Sequence, residues 1–101
     1  MATVTYAEIF KLNVMLTAAE IPHDIHTRLG GFQILYPGRG DWVCSVICFP
    51  GSYGFEEGLL EIMGLVDHEV TRDSVQGHLT AEDVFERIAA DYKQRQSEAN
   101  Q

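Results

Sequence analysis

Apolar and polar positions change period several times along this chain, and each change marks an element. From Tyr6 to Ala19 the apolar residues Ile9, Leu12, Met15, Leu16 and Ala19 recur at helical spacing, so at about 100° per residue they gather on one face. Thr5-Tyr6-Ala7-Glu8 has the spacing of a capping box, with Thr5 as the cap and Glu8 reaching back to it. A second stripe, Phe10, Val14 and Ala18, points nearly the opposite way. It implies either a helix wrapped on two sides by a small domain or an apolar surface that meets a second copy or a partner. Ile21-Pro22 closes this helix, because the residue before a proline is driven out of the α region.

The period then falls to two. His23 to Arg28 and Phe32 to Tyr36 read as strands around Leu29-Gly30-Gly31, and Phe32, Ile34 and Tyr36 alternate with Gln33 and Leu35 as in a sheet with one better-buried face. Pro37-Gly38-Arg39-Gly40-Asp41 supplies a turn, and the run Trp42 to Phe49 is apolar and β-branched enough to be the most deeply buried strand. A glycine-rich corner follows at Gly51-Ser52-Tyr53-Gly54. Phe55 to Gly64 then reads as a short helix, started by acids and ended by glycine. Leu65 to Asp73 has no clear period, and Asp73 to Leu79 fits an irregular segment or a short edge strand. Thr80-Ala81-Glu82-Asp83 repeats the cap pattern ahead of a last helix reaching about Arg95, whose apolar face is Val84, Phe85, Ile88, Ala89 and Tyr92.

These elements predict one α+β domain over residues 1–95, with a polar tail at 96–101 that frays. Its centre is a three-stranded antiparallel sheet, flanked by an N-terminal helix, a short middle helix and a C-terminal helix. The helices cover one face and leave the other partly open. With 101 residues and 46% hydrophobic content, the chain is long enough to build such a core without staples.

Charge narrows the function. The net charge is −8, and Glu56 to Asp91 carries the whole excess, ten acids against two arginines. Such a surface repels phosphate backbones, which disfavours direct nucleic-acid binding, and it attracts a basic protein groove. Glu56, Glu57, Glu61, Glu82, Asp83, Glu86 and Asp91 are the candidate contacts, against the plainer reading of a solvated, solubilising face. No stretch approaches the roughly 20 apolar residues of a membrane span, and the chain opens without a basic or apolar leader, so a cytoplasmic protein is expected.

Candidate chemistry is sparse. Cys44 and Cys48 lie too far apart along one strand to bridge each other, and are expected as buried thiols. A zinc site built from them with His23 and His26 lacks the spacing of known zinc modules, so no metal is expected. Ser52 as a nucleophile would need His78 or His23 as base and an orienting acid, with no spacing to support either, so neither a catalytic set nor a cofactor is expected. The corner with Trp42, Ser52, Tyr53 and His78 is a candidate small-ligand site. It lacks an adjacent lysine or arginine for a phosphate, and a tight turn explains its glycines equally well.

Tyr6-Ala7-Glu8-Ile9, Ile34-Leu35-Tyr36-Pro37, Gly51-Ser52-Tyr53-Gly54, Leu59-Leu60-Glu61-Ile62-Met63-Gly64 and Leu79-Thr80-Ala81-Glu82-Asp83-Val84-Phe85 resemble small proteins encoded by prophages and mobile elements of gut bacteria. The resemblance implies a setting in a bacterial host cell and action by binding, as in inhibitors of host defence of the anti-CRISPR type. It assigns no functional residue. The expectation is a small, acidic, non-enzymatic binding protein that inhibits a host protein, a basic nucleic-acid-binding nuclease being the natural target. The alternative is a small-ligand or nucleotide-binding protein, acting as a sponge from a site at a dimer interface.

Overall fold

Strand β3, Cys44–Cys48, lies at the centre of the computed structural model, which describes residues 5–66 and 74–99. Around it runs a five-stranded antiparallel sheet in the order β1 (Asp24–Arg28), β2 (Gly31–Tyr36), β3, β4 (Leu60–Met63) and β5 (Val75–Leu79). Each strand pairs with its neighbour in sequence. Two helices complete the domain, α1 (Ala7–Ala18) before the sheet and α2 (Ala81–Ala99) after it.

The expected three-stranded sheet with a third helix is therefore wrong. Phe55 to Gly64 forms only a 3₁₀ turn, Phe55–Glu57, followed by strand β4. Gly64, which mimics a helix stop, instead follows the last residue of β4. Gly58, in the left-handed region at φ 73°, ends the turn after three residues, and beyond it Leu60 and Ile62 alternate with Glu61 and Met63. Pairing with β3 through Ser45, Val46 and Ile47 satisfies backbone groups that a three-stranded sheet would leave open. β5 is the edge strand that the 73–79 stretch allowed. The unpatterned run before it falls largely on residues 67–73, outside the described residues.

The sheet alternation sorts the strands into two faces. Ile25, Phe32, Ile34, Tyr36, Cys44, Val46, Cys48, Leu60, Ile62 and Leu79 point toward the helices, where Ile9, Leu12 and Leu16 of α1 and Ala81, Val84 and Ile88 of α2 close over them. Fully burying one such aliphatic side chain stabilises the fold by about 1.5–3 kcal/mol, so this layer outweighs any single cap. The caps bear that out. Thr5 does not cap α1; its cap position is Tyr6, with no side-chain bond, and Glu8 instead accepts from the Ala81 amide at 2.7 Å, tying the start of α1 to the start of α2. At α2 the expected box is present: Asp83 accepts from the Thr80 amide (3.0 Å) and Thr80 Oγ1 accepts from the Asp83 amide (3.2 Å). α2 then continues to Ala99, past the expected end at Arg95.

Tyr36 links the layers. Its ring is fully buried, and its hydroxyl donates to Asp91 Oδ2 on α2 at 2.7 Å. Burial, and then the adjacent Asp91 carboxylate, push the phenol well above its usual range, so it stays a donor. A hydrogen bond to a charged partner contributes about 1.5–3 kcal/mol, and Tyr36→Phe is expected to lower unfolding stability by that amount in urea titration, with an unchanged slope.

Candidate functional site

Three chain segments meet at one end of the molecule. The Glu8 bond to Ala81 brings the helix starts together, and the 3₁₀ turn reaches them, because Gly58 packs against Thr5. Glu57 stands 3.4 Å from His78, at the end of β5. Exposed Glu56, Glu57, Glu82, Asp83 and Glu86 thus form an acidic pole. For Glu82 and Asp83 the placement has a local reason too, since acids in the first turn of a helix complement its dipole. Lys11 on α1 neutralises part of the charge through an ion pair with Glu82.

The other two expected acidic contacts lie elsewhere. Glu61 is on β4, on the face away from the helices, where its carboxylate accepts from the Tyr53 amide at 2.8 Å. Asp91 is occupied internally by Tyr36 and by Arg95 on the next turn of α2. Charge alone in the sequence cannot separate a carboxylate bonded within the fold from one that is open to a partner.

The glycine corner between β3 and β4 lines a pocket of about 250 Å³, formed with Phe55, Glu56, Glu57 and His78. Ser52, Tyr53 and His78 do come together here. Trp42 does not, since it precedes β3 and therefore belongs to the opposite end of that strand. The Ser52 hydroxyl donates to the Phe49 carbonyl (2.8 Å) and accepts from the Phe49 amide (3.1 Å), closing the turn. Two glutamates in the wall repel phosphate, which weighs against a nucleotide.

A second polar constellation crosses the sheet face that the helices leave open. Arg39 Nε donates to Asp24 Oδ2 (2.7 Å), the same oxygen lies 2.9 Å from His26 Nδ1, His26 Nε2 lies 2.8 Å from Gln33 Oε1, and Gln33 Nε2 donates to Ser45 Oγ (2.8 Å). Because a carboxylate only accepts, His26 Nδ1 carries a hydrogen. Arg39 first, and then His26, hold the Asp24 carboxyl below its ordinary value. The order acid, imidazole, hydroxyl is that of a nucleophilic triad, but Gln33 stands between His26 and Ser45 and presents its acceptor oxygen to His26 Nε2, so that nitrogen is not placed to take a proton from Ser45. Gln33 and Ser45 are buried, and the chain of bonds leaves them satisfied. The sequence signal for this track is faint. Asp24 and His26 share one parity of β1, and Gln33 and Ser45 are the polar residues on the off-face parity of β2 and β3, a coincidence visible only once the register is known.

The sheet separates the proposed zinc ligands. Cys44 and Cys48 are buried free thiols on the helix-covered face, whereas His26 lies on the open one and His23 bonds to Asn13 of α1 at 2.8 Å. Among the described residues, no cluster of three or more His, Cys, Asp or Glu side chains has metal-binding geometry. No described helix is long and apolar enough to cross a membrane. Comparison with protein-family models, curated proteins and solved structures returns no match.

Two outcomes follow from these environments. Burial pushes the Cys44 thiol up to about 12 and raises Cys48 as well, so both are expected to resist a thiol reagent at neutral pH until denaturant is added, then react with two equivalents. Asp24, Glu82 and Asp83 are held below their ordinary values, chiefly by Arg39, by Lys11 and by the Thr80 amide respectively. A folded-state value below the unfolded one contributes stability that is present at neutral pH and lost as pH falls through it. Thermal melts are therefore expected to drop as pH descends through the carboxylate range, with a modest amplitude because all three groups are exposed to solvent screening.

Proposed function

We propose that this chain is a non-enzymatic binding protein whose acidic pole docks against a basic surface of another protein. What supports the reading is the convergence of Glu56 and Glu57 on the 3₁₀ turn with Glu82, Asp83 and Glu86 on α2, exposed side chains from two separate segments at one end of the domain. Lys11, paired with Glu82, and Arg87, whose charge reaches Asp83, offset only part of these five carboxylates, so the net field is negative. A field of one sign steers a complementary partner and raises its association rate, and it fits the groove of a nucleic-acid-binding protein, including a defence nuclease of a bacterial host. Blocking that groove would inhibit the partner without chemistry.

Charge reversal tests this. The protein, tagged and recovered from bacterial lysate at low salt, is expected to retain a basic protein that a high-salt wash removes. The triple substitution Glu56→Lys, Glu57→Lys, Glu86→Lys avoids the paired Glu82 and the capping Asp83. It is expected to weaken retention at least about tenfold, roughly 1.4 kcal/mol, and to flatten the salt dependence. Equal retention and equal salt dependence in the two proteins would remove the acidic pole as the contact.

A further inference from the structure

The two edges of the sheet are built differently. β5 is broken by an irregularity in its pairing with β4 between Leu60 and Ile62, contains Gly77, and carries His78 in the left-handed region at φ 58°. Such a bulge turns an edge away from further pairing. β1 has none of these devices. It runs in unbroken register against β2 from Asp24 to Arg28, with neither proline nor lysine within it. Short as it is and with Asp24 and Arg28 on it, this edge is regular enough to pair, and its two charges are of opposite sign.

The hairpin geometry says which backbone groups this edge offers. Leu29 and Gly30 both have positive φ (47° and 81°), the type I′ geometry of a two-residue turn, so Arg28 and Gly31 form a hydrogen-bonded pair. In the alternation of an antiparallel ladder, His26 and Asp24 then also bond inward to β2, and Ile25 and Thr27 direct their N–H and C=O groups outward.

We infer that β1 pairs with β1 of a second copy of this chain, antiparallel and centred on His26, to make one ten-stranded sheet with the helices of both copies on the same face. In this register Ile25 of each copy faces Thr27 of the other as a hydrogen-bonded pair, so all four outward donors and acceptors of each edge are satisfied. Asp24 faces Arg28 of the other copy, twice, on the open face. The pairing is self-complementary in charge, as an isologous interface must be. Shifting the dyad to Ile25 or Thr27 puts Asp24 or Arg28 opposite His26 and loses both Asp24–Arg28 pairs.

Two further observations favour a second copy as occupant. The strand and the turn beside it carry Asp24 and Asp41 against Arg28 and Arg39, a neutral balance, so this side lacks the negative excess that would drive two copies apart elsewhere on the molecule. Exposed apolar side chains also flank the edge. Phe10 (45% exposed) packs its ring on Phe32 of the hairpin with centroids 4.7 Å apart, Leu29 (68%) sits at the hairpin tip, and Val14 (65%) follows Phe10 one turn along α1. The dyad carries this side of α1 toward its counterpart, and gives the Phe10, Val14 stripe apolar surface to cover.

Sedimentation velocity across a concentration series, with amide hydrogen exchange read by NMR, tests the pairing. The wild-type chain is expected to sediment as a dimer, with the Ile25 and Thr27 amides protected like those of β3. Thr27→Pro removes an outward donor at an exposed edge position that tolerates proline, and is expected to give a folded monomer by circular dichroism, with Ile25 exchange at least about tenfold faster. Arg28→Asp, which leaves the β1 backbone untouched, is expected to weaken the dimer and so keeps the test valid should the proline variant misfold. A monomeric wild type throughout the micromolar to millimolar range overturns the inference. So does a dimer in which the Ile25 and Thr27 amides exchange freely, or one that survives both substitutions and so uses another face.

Discussion

A sheet with one strongly apolar face must cover that face, and the molecule depends on how it is covered. Ile34, Val46 and Ile62 stand side by side across β2, β3 and β4, and α1 and α2 close over them with Ile9, Leu12, Leu16, Val84 and Ile88, all fully buried. Neither helix does this alone. They are joined at their starts by Glu8 and Ala81, and α2 is anchored further along by Asp91 and Tyr36. The same joint draws the first turns of both helices to one end, where the 3₁₀ turn adds its own acids. The acidic pole is thus a by-product of the core: packing decides that the helix starts converge, and the helix dipole favours acids there.

The opposite face shows how a sheet satisfies its buried polar groups with only one covering layer. Its buried positions include Gln33 and Ser45, whose amide and hydroxyl groups are bonded to each other and, through His26, to Asp24 and Arg39. Leaving such groups unpaired would cost about 1–3 kcal/mol each, so the track is a structural device even where its residue types suggest catalysis. It also orients Asp24 and His26 on β1, the sheet edge that runs without a bulge among the described residues. The acidic pole and the β1 edge are separate surfaces with different physics, long-range charge at one and backbone pairing at the other.

Much of this was legible in the chain. The helical stripe of Ile9, Leu12 and Leu16, the hairpin around Leu29-Gly30, the buried strand within Trp42 to Phe49, the Thr80–Asp83 cap and the amphipathic face of α2 all follow from spacing. β4 did not follow. Four residues are too few for a two-residue period to stand out, and the acids before them and the glycine after them imitate helix ends. The polar track was hidden because cross-strand neighbours are distant in sequence: Gln33 and Ser45 are twelve positions apart. Trp42 and Tyr53 look close along the chain, yet β3 runs between them and holds them at opposite ends.

What the sequence by itself determined is local: where helices and strands form, which side of each is apolar, and where the charge is concentrated. Those properties depend on residues within a few positions of one another, so periodicity and turn chemistry reveal them. Tertiary structure decided the number of strands, which edge is blunted, and which acids remain free. Each of these depends on a contact between distant segments. A carboxylate such as Asp91 becomes a core anchor only when Tyr36 arrives beside it, and Leu60–Met63 becomes a strand only when β3 offers its edge.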